Sequence, residues 1–317
     1  MTDDQAIGET HQIDLAPTTV DSMVGLVRHA LFPLYRELAD VEARDLVAAV
    51  LDQPRFWPSM FRDTVLSDRQ AADIALAASK RSAGAPFAYA VGKAAFRHLT
   101  LVVDERVLIP RPETELLVDL ILRTPQGAGG GTAVDIGTGS GAIGLALATE
   151  GTFVRVIATD LSRDALDIAT ENARRLSGDL GARVEFLAGD ALSPILGQLV
   201  DVLVSNPPYI AYAELTDLPA NVRDWEPPSA LVCPDDGLAV TQSIVNGAAT
   251  VLRPGGLLAF EVDSRRAHRV AEMIRRTEDF EDIRVLQDLT GRDRFVLASR
   301  LTNDRRVPQD AAAIVVM

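Results

Sequence analysis

The residues of this chain best suited to chemistry are Asn206-Pro207-Pro208-Tyr209, which follow the apolar run Asp201-Val202-Leu203-Val204. The asparagine oxygen and the Pro207 carbonyl are acceptors at adjacent positions, a pair that matches the N–H groups of a planar NH2. Such a nitrogen, in an amide or an aromatic amine, is a poor nucleophile because its lone pair is delocalised. An enzyme must hold it in line with an electrophilic carbon and draw charge onto it, which needs orientation and electrostatics but no strong base. Consecutive prolines stiffen the backbone that carries the Pro207 carbonyl, and Tyr209 offers a flat face for a planar group. Asn206, Pro207 and Tyr209 are therefore the candidate catalytic residues, and Pro208 completes the substrate-holding segment. The competing reading is a proline turn over a buried tyrosine, and the segment's place after a glycine-rich loop weighs against it.

That loop is Gly137-Thr138-Gly139-Ser140-Gly141, directly after Val134-Asp135-Ile136 and before a helix starting near Ala142. Alternate glycines let backbone pass close to a ligand because no Cβ intervenes. Asp160 ends the next strand, where an acid can accept both hydroxyls of a ribose, and Asp190 follows the strand after that, within reach of an adenine amino group. Each aspartate alone could be a helix cap; together with the loop they outline adenosine. A dinucleotide fingerprint needs its third glycine one residue later, where Ala142 stands, so S-adenosylmethionine is the favoured cofactor.

These residues need a frame. Apolar residues at helical spacing predict helices over Val20–Ala39 and Val41–Leu51, and Ser67-Asp68 offers a cap for a helix over Ala71–Lys80, so residues 18–95 read as a small helical domain. From Phe96 the period becomes that of strands: Leu99, Leu101 and Val103 alternate, and Val107-Leu108-Ile109 follows a polar break at 104–106, which predicts a hairpin. It ends in Pro110-Arg111-Pro112, a stiff arm that leads into a helix over Glu113–Leu122, so that 96–112 form a linker. Gln126 to Gly131 reads as a flexible loop. Strands are expected at Ala133–Ile136, Val154–Thr159, Val184–Leu187, Val200–Ser205 and Leu257–Val262, with helices between most of them. This is a doubly wound, Rossmann-like α/β sheet. Ile283–Gln287 and Arg294–Ala298, joined by a short turn, should pair antiparallel at one edge. The catalytic domain then spans 113–301 and leaves a tail, 302–317, whose apolar end Ala313–Met317 has no functional account.

A formal charge of -14 over 317 residues opposes non-specific binding to a phosphate backbone, so direct nucleic-acid binding is not expected. Cys233 is the lone cysteine, which excludes an intramolecular disulfide and a cysteine-built metal centre. His11, His29, His98 and His268 follow no ligand or triad spacing, and no metal is expected. Arg265-Arg266 and Arg275-Arg276, flanked by acids, read as solvated helix faces. Met1 to Pro17 lacks the pattern of a secretory leader and no apolar run approaches membrane-spanning length, so a soluble cytoplasmic protein, and a monomer, is the expectation.

Further blocks give these features a family resemblance: Gly84-Ala85-Pro86-Phe87-Ala88-Tyr89 with Phe96, Leu108-Ile109-Pro110-Arg111-Pro112-Glu113-Thr114-Glu115, Glu226-Pro227, Asp236-Gly237-Leu238, Pro254-Gly255-Gly256, and Asp288-Leu289-Thr290-Gly291-Arg292-Asp293-Arg294. Over about Ser82 to Ala298 the chain resembles the HemK/PrmC-type N5-glutamine methyltransferases, which modify the glutamine of the GGQ motif in peptide chain release factors. The resemblance implies a class I methyltransferase fold, a release factor as partner, and a helical domain that binds the substrate protein. It also implies that Gly137 to Gly141, Asp160 and Asn206 contact the cofactor, that Asn206 to Tyr209 hold the glutamine amide, and that the arm packs beside the site, with Arg111 and Glu113 as further substrate-binding residues. Methylation of adenine-N6, or of another nucleic-acid amino group, is the alternative that the same tetrapeptide permits once a base is flipped out. The chain departs from the family pattern at Ala191, often aromatic, which puts adenine stacking there in question. Pro228 stands where arginine is common, and Glu261-Val262-Asp263-Ser264-Arg265-Arg266 replaces the usual E-I-G-x-x-Q, losing its glycine and glutamine.

Overall fold

The structure is a computed structural model that describes residues 18–176 and 183–302. The expectations for Met1–Pro17, for His11 and for the tail beyond residue 302 lie outside the described residues. Two compact units divide at Val91/Gly92, a few residues before the expected boundary at 95/96.

In the first unit the helices Val20–Tyr35, Ala39–Val50 and Asp68–Ser82 enclose a core of Val27, Leu31, Leu46, Val47 and Ile74. Thr19 and Ser67 each cap the following helix, their side-chain oxygens accepting the amides of Ser22 and Gln70 while their own amides donate back to those side chains, so these termini are fixed by local sequence. The helix expected to run through Ala39 stops at Tyr35. Pro33 sits in its last turn and Arg36 turns out of it at φ 48, its N–H bonding the Phe32 carbonyl.

The second unit opens with a hairpin, β1 (Lys93–Phe96) against β2 (Leu99–Val102), with Phe96 opposite Leu99. Its turn lies four residues earlier than the end of β2, at Arg97-His98, and not at the polar break 104–106. Arg97, at φ 53, is held by bonds from its guanidinium to the Glu115 carbonyl (2.8 Å), Glu150 (2.7 Å) and Asp119 (2.9 Å). The break itself is a tight turn: the Asp104 carboxylate accepts the Arg106 N–H (3.0 Å) and the Asp104 carbonyl accepts that of Val107 (3.1 Å). Val107–Ile109 is therefore part of the arm and not a strand. The expected flexible loop is also anchored, because Thr124 caps a helical turn at Pro125–Ala128 and the Gln126 side chain donates to the Gly255 carbonyl (2.6 Å).

The remaining strands are β3 (Thr132–Ile136), β4 (Arg155–Asp160), β5 (Val184–Ala188), β6 (Val200–Ser205), β7 (Leu252–Glu261), β8 (Phe280–Gln287) and β9 (Asp293–Arg300). They form a seven-stranded sheet in the order β5-β4-β3-β6-β7-β9-β8, parallel except for β9, which is antiparallel to both neighbours. Alternate residues build separate cores. Ala133, Val156, Val202, Val204 and Ala259 face the helices Pro112–Leu122 and Ala142–Glu150, while Val134, Ile157, Leu203, Leu258 and Phe260 face Ala239–Val251 and Ala267–Arg276. Because the chain leaves β3 toward β4 and returns beside it as β6, the strand order reverses there. The carboxyl ends of β3 and β6 thus flank the crevice where open α/β sheets bind ligands.

Candidate active site

Every residue singled out for chemistry after β3 lies at this carboxyl edge. β3 delivers the glycine loop, β4 ends in Asp160, Asp190 follows β5, Asn206 follows β6, and β7 ends in Glu261. The Ser205 hydroxyl donates to the Ile136 carbonyl (2.7 Å), which ties the ends of the strands that carry the two main motifs.

The loop is held by buried side chains on several sides. One Asp135 oxygen accepts from the Thr138 hydroxyl (2.6 Å) and the Gly144 amide (2.9 Å), bridging the loop to the first turn of the helix behind it. Burial pushes that carboxyl up to about 6, the Thr138 and Gly144 bonds oppose the shift, and the other oxygen, Oδ1, is buried without a hydrogen-bond partner. Asp160 accepts from the amides of Gly139 (2.9 Å) and Ser162 (2.9 Å), and burial holds its pKa above the ordinary value. Asn172 is fully used: its amide nitrogen donates to the carbonyls of Ser140 (2.9 Å) and Val102 (3.0 Å), and its oxygen accepts from the Val102 amide (2.7 Å). Gly137 and Gly139 have φ of +71 and +55, and a Cβ on either would meet nothing within 4 Å, so open space lies beside the backbone where a ligand would run. The loop can therefore take a nucleoside with a short charged chain, and Asp160 stands at its edge. Asp190 is exposed, and its carbonyl accepts the Ser193 amide in a short turn; Ala191 is half-buried at φ 44.

On the other side of the crevice a cavity of about 340 Å³ is lined by Asn206, Pro207, Tyr209 and Arg111, with Asp263, Arg265 and Arg294 at its charged wall. The tetrapeptide is fastened along its length: Ile210 bridges Val232, donating to the Leu231 carbonyl (3.0 Å) and accepting from Cys233 (3.0 Å). Gly237, at φ +79, presses on the Tyr209 carbonyl, and a Cβ there would stand 2.2 Å from it, so only glycine fits. Burial pushes the Tyr209 phenol up to about 12, with the Glu261 charge adding to the effect, so the ring stays neutral. Arg111 reaches the buried Glu226 (2.5 Å), which also accepts the Ile109 amide (3.2 Å), and these bonds pin the proline arm to the loop after the tetrapeptide. Glu113 does not line the cavity; it lies close enough to Glu261 to raise its pKa. Beneath Asn206, its amide nitrogen donates to the Thr114 hydroxyl (3.2 Å), and the Glu261 carboxyl lies close enough to Thr114 and Asn206 for both to favour its charged form. Burial pushes Glu261 up to about 7. Among the described residues no group of three or more histidine, cysteine, aspartate or glutamate side chains could hold a metal ion, and no helix is long and apolar enough to cross a membrane.

The family described as Methyltransferase small domain matches residues 112–220, from the arm through the tetrapeptide. A release factor glutamine methyltransferase of Moorella thermoacetica is 46% identical over 224 residues, covering 71% of this chain and 78% of that protein. One from Nitratidesulfovibrio vulgaris is 36% identical over 293 residues, covering 90% and 97%. The chain belongs to the release factor glutamine methyltransferase family. Among solved structures the hMettl16 catalytic domain aligns with a TM-score of 0.51 over 78% of this chain and 86% of its own, at 15% identity, a likeness of fold alone.

Against the family pattern, the lost glycine and glutamine are replaced by side chains that form an ion pair. Arg266, expected on a solvated face, is buried. It donates to the Asp236 carbonyl (2.6 Å) and Glu214 (2.8 Å), and lies 3.4 Å from Asp263. Its Asp236 contact supports the turn that presses on Tyr209, and the pairing of Asp263 with Arg266 explains how both departures are accommodated together. Arg265 is exposed, as expected, and reaches Asp263 (2.9 Å) and Glu214 (2.8 Å). Pro228 begins the helical turn Pro228–Leu231, where a proline's fixed φ is suited to the first position. Sequence reasoning missed the supporting roles of Asp135, Thr114, Asn172, Glu226 and Glu261. Glu261 left a signal, a lone acid ending an apolar strand, the same placement that singled out Asp160.

Proposed function

We propose that this chain transfers the methyl group of S-adenosylmethionine to the side-chain amide nitrogen of the glutamine in the GGQ motif of a peptide chain release factor. The observation that carries the reading is the cavity shared by Asn206, Pro207, Tyr209 and Arg111, directly beside an open glycine loop. The family membership supports the same substrate.

Gly137 to Gly141 and Asp160 would hold the cofactor, with Thr138 and Ser140 as backbone contacts and Asp190 and Ala191 at the adenine end. When bound, the cofactor supplies a methyl group on sulfonium sulfur, a strong electrophile. Asn206 Oδ1 and the Pro207 carbonyl each accept one N–H of the glutamine amide, which fixes the direction of the nitrogen lone pair and stabilises the positive charge that develops on it. Tyr209, held neutral, lies against the planar amide, and Pro208 keeps the acceptor carbonyl from turning. As the new N–C bond forms the methyl–sulfur bond breaks, its electron pair staying on sulfur, and one amide proton leaves to solvent, so no residue with the pKa of a strong base is needed. Arg111 forms one wall of the cavity, with Glu113 behind it on the helix. The helical unit over residues 18–91 would engage the body of the release factor.

The test is incubation of the full chain with methyl-labelled cofactor and a release factor. Label enters the wild-type factor and not one whose GGQ glutamine is replaced. Transfer to the replaced factor, or to DNA or RNA in its stead, would overturn the reading.

A further inference from the structure

An asparagine can serve as acceptor for a substrate N–H only if its amide is oriented with the oxygen outward, and nothing in the tetrapeptide itself sets that orientation. The surroundings do. Asn206 Nδ2 donates to the Thr114 hydroxyl at 3.2 Å, and the Glu261 carboxyl lies close enough for Thr114 and Asn206 to favour its charged form. An ionised carboxylate accepts only, so it draws the N–H side of the Asn206 amide toward it. A threonine hydroxyl has one hydrogen; with a carboxylate nearby that hydrogen turns to Glu261 and a lone pair faces Asn206. The N–H side of the amide is thereby held inward, and Oδ1 is left for a substrate.

We propose that Thr114 and Glu261 are positioning residues that lock the Asn206 amide with Oδ1 toward the substrate, Thr114 through its hydrogen bond and Glu261 through its charge. The inference rests on the proposed acceptor role of Asn206 and adds what enforces it. Thr114 stands in the first turn of the helix Pro112–Leu122, so the proline arm and the acceptor are coupled through one hydroxyl. Glu261 ends β7, and its Oε2 is buried without a hydrogen-bond partner, a carboxylate kept short of donors.

The lock depends on the charge state of Glu261. The groups that face it are Arg294 on β9, which favours the anion, Glu113 on the arm helix, which opposes it, and the neutral Thr114, Asn206 and Tyr209. With a proton on Glu261, the carboxyl becomes a donor and can bond Asn206 Oδ1, which reverses the amide. The lock is therefore present above the Glu261 pKa, about 7, and lost below it.

The experiment uses the full chain labelled with 15N at asparagine, the Asn206 side-chain signal being assigned by its disappearance in Asn206→Asp. Expected are slow solvent exchange of this NH2 above neutral pH and a titration with a midpoint near 7. Thr114→Val should speed its exchange, and Glu261→Gln should abolish its titration. With a release factor as substrate, Thr114→Val should lower kcat about 10- to 100-fold with cofactor affinity unchanged, and Thr114→Ser should recover to within about threefold of wild type. An Asn206 signal indifferent to both Thr114→Val and Glu261→Gln would overturn the proposal, and so would a Thr114→Val kcat equal to wild type. Absence of any methyl transfer by the wild type would count against the proposed substrate alone, because the spectroscopic arm still decides the lock.

Discussion

The two sides of the crevice are built by different means. The glycine loop is held by side chains close to it in sequence: Asp135 reaches Thr138 and Gly144 across 3 and 9 residues, Asp160 reaches Gly139 across 21, and Asn172 reaches Ser140 across 32. The tetrapeptide is held from far away. Asn206 bonds Thr114 across 92 residues, and Glu226 receives Arg111 and Ile109 across 115 and 117. A local scaffold forms with the βαβ unit itself and suits a ligand common to many reactions. The distant one depends on the arm and on long-range ion pairs, and these can be remodelled, as Arg266 shows by reaching Glu214 across 52 residues, without disturbing the cofactor side.

If the sides are separable, variants on each should fail in different ways. The largest effect is expected from Asn206→Ala, which removes one acceptor: single-turnover methylation falls about 10²- to 10³-fold while calorimetric cofactor affinity changes by less than about tenfold. Equal losses in both would break the comparison. Next is Glu226→Ala, which frees the arm and leaves Arg111 unpaired. We expect kcat to fall about 10- to 100-fold and urea stability by about 1–3 kcal/mol, reduced from the cost of a fully buried pair because Arg111 is 32% exposed. Asp135→Ala should act in the opposite sense, weakening cofactor binding about tenfold, with kcat at saturating cofactor much less affected.

The smallest effect sharpens the comparison through pH. Glu261 has an ordinary pKa of 4.5 unfolded and about 7 folded, and Asp135 has 3.8 and about 6. The folded state holds these protons more tightly, so the stability they confer is present below the unfolded values and lost as pH rises to the folded ones. Wild-type stability should accordingly decline between about pH 4 and 7. Glu261→Gln should remove part of that decline, being more stable than wild type at pH 8 by on the order of 1–3 kcal/mol and equal to it at pH 4. Denaturant midpoints across pH read this directly, and a Glu261→Gln difference that grows toward acid would refute it. A variant that gains stability while losing turnover is expected where a buried charge serves function.

The same contrast governs what was legible in the sequence. The sheet, its edge pair and the glycine loop were readable because strand periodicity and the strand-to-helix turn are local. Asn206 and Tyr209 stood out because their types and adjacency imply an acceptor pair and a planar face. Thr114 and Glu226 carry no such mark, and Glu261 left only its place at the end of an apolar strand; each acts through a partner brought near only by the completed sheet. The hairpin was misplaced because its turn depends on Arg97, whose φ of 53 is unusual for arginine and is fixed by Glu115, Asp119 and Glu150, all distant in sequence. Arg266 was read as solvated because its acidic neighbours suggested a surface, whereas Arg266 is buried and pairs with Asp263 and Glu214.

The most direct measurement is fragment mass spectrometry of a release factor incubated with this chain and S-adenosylmethionine. The account predicts one added methyl on the side-chain nitrogen of the GGQ glutamine, absent when Asn206→Ala replaces the wild type over the same interval. A methyl on any other residue, or equal modification by Asn206→Ala, would contradict it.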